Sequence, residues 1–97
     1  MNKYQKIDLL ATCCDRLDAD EIWHVIDSIS ESECCALLPL LLACDLGRDF
    51  DKATGIADWA RQHDHLTQKQ RRWVCLMLAD RWLTMNPHMR FSIQMSL

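Results

Sequence analysis

The chain has 97 residues, the size of one small domain, and its 49% hydrophobic content is enough for a packed core and too high for a disordered chain. The N-terminus MNKYQKIDLL has no secretory h-region, and the longest uncharged run, residues 34–44, is far short of the roughly 20 residues that a membrane helix needs. We therefore expect a soluble protein of the cytoplasm with no membrane partner, whose six cysteines are reduced thiols.

Charge is divided unevenly along the chain. Residues 1–60 carry five Lys/Arg and twelve Asp/Glu, a net charge of −7, whereas residues 61–97 carry six and two, a net charge of +4. Such asymmetry is one sign of an interaction surface, although two solvated faces of opposite charge would give the same numbers. The net charge of −3 argues against direct DNA binding, because phosphate contacts dominate nucleic-acid affinity.

The first two helices are predicted from apolar spacing and from capping signals. Residues 4–17 repeat apolar side chains every three or four positions, the pattern of an amphipathic helix. Asp18 with Glu21 resembles a capping box at the start of a second helix. Ser30 with Glu33 repeats the signal, so we expect the second and third helices to meet at a tight corner.

The third and fourth helices follow, with one expected irregularity. Pro39 lies inside the third helix, where it removes a backbone donor, so we expect a kink or a break into two short helices near Leu38. Gly47 suits a left-handed residue after a helix end. Residues 50–62 then predict the fourth helix.

The fifth helix is predicted to begin at Thr67 and to run to about Thr84, before Asn86 and Pro87 stop it. Thr67 with Gln70 forms the T-x-x-Q capping box. The apolar residues of this helix point almost all round the axis. Such a helix is either central to the fold or covered by a partner.

The last ten residues, 88–97, read differently, because apolar and polar side chains alternate with the period of a half-buried strand. No other strand is predicted to pair with this tail. It would pair with a second copy, add to the sheet edge of a partner, or pack as irregular coil. The expected fold is therefore all-α, a small bundle of about five short helices in a single domain over residues 1–87, with an extended tail at residues 88–97.

Catalytic and metal chemistry are not predicted. The six cysteines include no C-x-x-C pair, and adjacent cysteines on a helix point about 100° apart, which suits metal binding poorly. The chain lacks G-x-S-x-G, H-E-x-x-H and a phosphate-binding glycine loop. We therefore expect a non-enzymatic protein with no catalytic residues, metal or cofactor.

A partner-binding surface is predicted at the start of the fifth helix and in the tail. Positive charge at a helix N-terminus is unfavourable for the helix macrodipole, so helix stability does not explain Lys69, Arg71 and Arg72. Tryptophan and arginine are enriched in binding hot spots, although tryptophans on two sides of one helix could also fill a layered core. The candidate binding residues are Lys69, Arg71, Arg72, Trp73, Trp82, Met89, Phe91 and Ile93, with Leu66, Thr67 and Gln68 as a candidate binding loop.

The helix entry LT-x-KQ-x-x-W, at residues 66–73, and the size and character of the whole chain resemble the anti-RecBCD protein family of lambdoid phages, in particular its second type. The resemblance implies a modulator that binds the host RecBCD helicase–nuclease, chiefly through RecC, and alters its Chi response in favour of phage recombination. It also implies a host prolyl isomerase as a partner at a proline of the motif. This chain has Gln68 there instead, which puts that contact in doubt.

Two other functions stay open on the residues alone. A helix-turn-helix-like regulator could use Lys69, Arg71 and Arg72 against DNA. A homodimer could form through the tail, with no other partner.

Overall fold

The computed structural model describes residues 1–84, and within that range every regular element is helical. The α-helices are α1 (Lys3–Arg16), α2 (Ala19–Ser28), α3 (Glu31–Leu42), α4 (Phe50–His63) and α5 (Gln68–Trp82), and a short 3₁₀ helix spans Gly47–Asp49. The all-α prediction is therefore confirmed for this part of the chain. The predicted tail, with Met89, Phe91 and Ile93, lies outside the described residues.

Side-chain caps define where the first three helices begin. The Ser30 hydroxyl accepts from the Glu33 N–H at 3.1 Å, and the Glu33 carboxylate accepts from the Ser30 N–H at 3.0 Å, which confirms the predicted box. Asp18 accepts from the Glu21 N–H at 3.2 Å. A further box, not predicted, starts α1, where Asn2 and Gln5 bond each other reciprocally.

The third helix is not broken at Pro39. A kink or a break was expected near Leu38. Helix α3 runs unbroken from Glu31 to Leu42, so the break is excluded and the kink stays a prediction. Pro39 has no N–H to offer the Cys35 carbonyl, and both residues are exposed. Helical hydrogen bonding continues beyond the proline, since the Ala43 N–H donates to the Pro39 carbonyl at 3.1 Å.

Gly47 has the expected left-handed backbone, with φ of +52°. It does not follow the end of α3 directly. The helix ends at Leu42, its cap Ala43 has a right-handed backbone, and Gly47 instead begins the 3₁₀ helix that leads into α4. The prediction was correct about the conformation and incomplete about the element, because a single 3₁₀ turn has no apolar period to reveal it.

The chain divides into two compact units. The central unit, Ser30–Met77, buries apolar side chains of α3, α4 and the first half of α5. The terminal unit comprises Met1–Ile29 and the described residues from Leu78 onward, and it buries side chains of α1, α2 and the last turns of α5. The main core residues are Leu37, Leu41, Ile56, Leu66 and Val74 in the central unit, and Ile7, Leu10, Val25, Ile29 and Trp82 in the terminal unit.

Trp82 is the largest fully buried side chain, and this position corrects its predicted role as a binding residue. Its indole N–H donates to the Asp8 carboxylate at 2.8 Å. Its ring lies nearly parallel to the ring of Tyr4, with centroids 6.4 Å apart. Buried indoles normally find such a partner, so the arrangement is that of a core tryptophan of the terminal unit.

Removal of the indole donor tests the importance of this bond for the terminal unit. We expect Trp82→Phe to lower the free energy of unfolding by about 2 kcal/mol, because the part-buried carboxylate of Asp8 loses its donor. Asp8→Asn is the matched control, since its side-chain oxygen can still accept the bond. Urea denaturation of both variants measures the difference. Equal losses would contradict a specific role for the donor.

Candidate protein-binding site

The start of α5 is fixed by the side chains that were predicted to cap it. The Gln70 N–H donates to the Thr67 hydroxyl at 3.1 Å, and the Thr67 N–H donates to the Gln70 side-chain oxygen at 2.9 Å. Both bonds of the capping box are present, which confirms the prediction for this turn. The helix entry is thus held in one conformation.

A carboxylate from another helix also serves this entry. The Leu66 N–H donates to Glu31 Oε1 at 2.7 Å, across 35 residues of sequence. Helix α5 has no acidic residue in its own first turn, whereas Glu31 belongs to the first turn of α3. A negative charge beside a helix N-terminus is favourable, so α3 supplies the charge that α5 lacks.

Leu66 itself was predicted as part of a binding loop, and the structure corrects this. Its side chain is only 4% exposed and belongs to the core of the central unit. The neighbouring Thr67 and Gln68 are exposed. Leu66 therefore anchors the loop, and the two residues after it are the ones that a partner can reach.

The aromatic centre of the site is Trp73, whose ring is contacted by two lysines. The Lys69 ammonium lies 4.8 Å from the centre of the Trp73 ring, and the Lys52 ammonium of α4 lies at the same distance. A cation over an indole face is attracted by the ring quadrupole, by about 0.5–1 kcal/mol at exposed sites. The two contacts orient a half-buried indole and gather two positive charges around it.

Lys52 was missed at the sequence level. It lies in α4, 21 positions before Trp73, in a stretch whose charged residues are mostly acidic, so no local pattern links it to the basic turn. The signal that could have found it is helical register. Lys52 lies on the exposed side of a predicted helix just upstream of the basic turn. This position allows a contact with Trp73, but it does not predict that contact over others.

The two arginines of the basic turn are less available than predicted. Arg71 and Arg72 are both only partly exposed. Arg71 acts on the buried pair Cys34 and Cys75, where its positive charge lowers the pKa of both thiols, although stronger influences outweigh it at Cys75. Arg72 also has an interaction partner within the structure. Lys69 and Trp73 are thus the predicted residues that the structure brings together, and Lys52 joins them.

An aromatic cluster that was not predicted shapes the loop before the entry. The rings of Trp59 and His63 stack with centroids 4.0 Å apart, and the His65 ring meets Trp59 edge-on at 4.8 Å. Each imidazole Nδ1 also bonds a backbone carbonyl, His63 to Trp59 and His65 to His63, both at 2.9 Å. Together with the left-handed cap Asp64, with φ of +60°, these contacts set the direction of the chain between α4 and α5.

We call the exposed surface formed by Thr67, Gln68, Lys69, Trp73 and Lys52 the α5 entry. Over residues 1–84, no three His, Cys, Asp or Glu side chains are grouped so that they could hold a metal ion. None of the described helices is long and apolar enough to cross a membrane. Comparisons with protein-family models, with curated proteins and with solved structures find no match.

The carboxylate that anchors the α5 entry can be tested by a pair of substitutions. We expect Glu31→Ala to lower the free energy of unfolding by about 1–2 kcal/mol, because the part-buried Leu66 N–H loses its acceptor. Glu31→Gln keeps an oxygen acceptor and should retain most of that stability. Chemical denaturation gives both values, and hydrogen exchange at the Leu66 amide should quicken only in the alanine variant. Unchanged exchange there would contradict the anchor.

Proposed function

We propose that this protein is a non-enzymatic binding module of the host cytoplasm, and that the α5 entry is its contact surface. Its partner is the host RecBCD helicase–nuclease, engaged through RecC, and binding alters the response to Chi so that recombination serves a phage. The named partner comes from the resemblance of the residue 66–73 motif and of the whole chain. The contact surface comes from the geometry of the central unit.

The observation that carries the proposed surface is the contact of both Lys52 and Lys69 with the ring of the half-buried Trp73. An aromatic side chain surrounded by cations offers apolar area and charge at one place, the combination enriched in binding hot spots. The capping box and the Glu31 anchor fix the backbone beneath it. A surface fixed in advance loses little conformational entropy when it binds.

The charge of the α5 entry also favours an acidic partner surface. Two lysines converge on one ring, and α5 has no acid in its own first turn. Attraction between oppositely charged surfaces raises the association rate of two proteins, and added salt weakens that attraction. A protein partner, unlike DNA, does not have to be bound through many phosphate contacts. The proposal is therefore compatible with the net charge of −3 on this chain.

Loss of Trp73 tests the surface directly. We expect Trp73→Ala to weaken binding to purified RecBCD by at least about 30-fold, the effect of a hot-spot residue. Trp23→Ala is the control, since Trp23 is 43% exposed and belongs to the terminal unit. Biolayer interferometry with immobilised RecBCD gives the affinities, and circular dichroism checks the helix content. Equal affinities for the two variants would disprove the surface.

A matched pair of lysines provides the second arm of that experiment. Lys69 lies 4.8 Å from the Trp73 ring, and Lys3 lies 4.8 Å from the Tyr4 ring in the terminal unit. Lys69→Gln should weaken RecBCD binding several-fold and reduce its salt dependence. Lys3→Gln loses the same charge and the same kind of contact, and it should bind as the parent does. If neither Trp73 nor Lys69 matters while RecBCD is still bound, another surface makes the contact.

DNA binding is a second candidate, favoured by the basic residues at the start of α5. A gel shift with duplex DNA over a salt series separates it from the first. Sub-micromolar duplex binding that falls steeply with salt and is lost in Lys69→Gln would favour the regulator. We expect no such binding, because Arg71 and Arg72 are partly buried in the central unit.

The absent proline of the motif can be restored. Gln68 is the first residue of α5 and is exposed, and proline suits that position because its N–H is not needed in the helix. We expect Gln68→Pro to leave stability unchanged or to raise it by up to about 1 kcal/mol. We also expect it to gain binding to a host prolyl isomerase, measured by calorimetry against Gln68→Ala. A destabilised fold would show that this backbone does not accept proline.

A further inference from the structure

Two buried thiols of the central unit lie against each other without a covalent bond. The sulfur atoms of Cys34 in α3 and Cys75 in α5 are 3.5 Å apart, and the residues are 41 positions apart in sequence. Both side chains are fully buried. A disulfide requires about 2.05 Å between its sulfurs, so the two atoms need to approach by only about 1.5 Å.

We infer that Cys34 and Cys75 are a redox-convertible pair that hydrogen peroxide joins into a disulfide linking α3 to α5. All six thiols are free, and the sulfur atoms of Cys34 and Cys75 are in direct contact. Cys35, the neighbour of Cys34, is exposed and lies about 100° away around the helix. The contact therefore selects one thiol of the adjacent pair.

The chemistry balances with one molecule of peroxide. The Cys34 sulfur attacks one peroxide oxygen and becomes a sulfenic acid, and the departing hydroxide leaves as water with the thiol proton. The Cys75 sulfur then attacks the sulfenic sulfur, forms the S–S bond and releases the second water. Two thiols lose two electrons in all, and the peroxide gains them.

The surroundings of the pair fit this order of attack. The hydrogen bond with Cys75, together with the charge of Arg71, lowers the pKa of Cys34. The same hydrogen bond and burial raise the pKa of Cys75. Cys34 is thus the better thiolate, and Cys75 is the neighbouring thiol that resolves its sulfenic acid. Because both are buried, peroxide, which is hardly larger than water, is a more suitable oxidant than a bulky disulfide.

The disulfide would add a second link at the α5 entry. Glu31 and Cys34 lie one turn apart on α3, and they contact Leu66 and Cys75 on either side of the basic turn. The bond would therefore fix the first half of α5 to α3 covalently. The redox step is independent of any partner, so it can fail or succeed without bearing on RecBCD binding.

Peptide mapping tests the pair. The folded protein is treated with hydrogen peroxide, alkylated in denaturant and digested with trypsin without reduction. Cys34 falls in the peptide 17–48 and Cys75 in the peptide 73–81. We expect a mass loss of about 2 Da and one linked pair of these peptides. A reductant should separate them.

Variants identify the thiol within the longer peptide. Cys35→Ser with Cys44→Ser leaves only Cys34 in residues 17–48, and the linked pair should persist. Cys75→Ser should abolish it. In the parent, oxidation should also raise the melting temperature by at least about 5 °C, because a long loop is closed. No such rise is expected in Cys75→Ser.

Three results would overturn the pair. Peroxide could leave both thiols open to alkylation, it could oxidise Cys34 to a sulfinic acid without a link, or the link could vanish in the Cys35→Ser, Cys44→Ser variant. Mapping that variant needs no substitution in the core. The outcome is therefore decisive even if Cys75→Ser does not fold.

Discussion

The bond between the Leu66 N–H and the Glu31 carboxylate is the contact on which the α5 entry depends. It satisfies a part-buried backbone donor just before a helix whose own first turn carries cations and no acids. Without it the entry would combine an unsatisfied N–H with charges opposed to the macrodipole. With it, the carboxylate of Glu31 offsets the positive charge at the N-terminus of α5, where Lys69 contacts the ring of Trp73.

The carboxylate that Glu31 places at the N-terminus of α5 explains how a basic helix start is compatible with a stable fold. The acids that a helix prefers at its N-terminus are present in the first turns of α2, α3 and α4. Among the α-helices of residues 1–84, α1 and α5 lack them, and α1 compensates with the capping box of Asn2 and Gln5. At α5 the box of Thr67 and Gln70 is supplemented by Glu31. The cations are therefore tolerated by the local structure, and their arrangement around Trp73 is what a binding surface would use.

Short-range chemistry was readable from the sequence, and long-range contacts were not. The boxes at Ser30 and Thr67 were predicted correctly because each pairs residues three positions apart, as helix geometry requires. Trp73 and Trp82 looked alike in sequence, yet one is half-buried and the other is a core residue bonded to Asp8. Periodicity could not separate them, because the apolar residues of α5 point almost all round the helix axis and do not show which side is covered.

The same limit applies to the features that matter most for function. Lys52 reaches Trp73 from a different helix, and Cys34 reaches Cys75 across 41 residues, so no local spacing signals either contact. Both contacts lie in the first half of α5, and Glu31 binds Leu66 just before this helix. Contacts from Glu31, Lys52 and Cys34 thus constrain the start of α5 in addition to its own helix propensity. The α5 entry is thus defined by what the fold brings to it, and that convergence, more than the basic run itself, marks it as the surface to test.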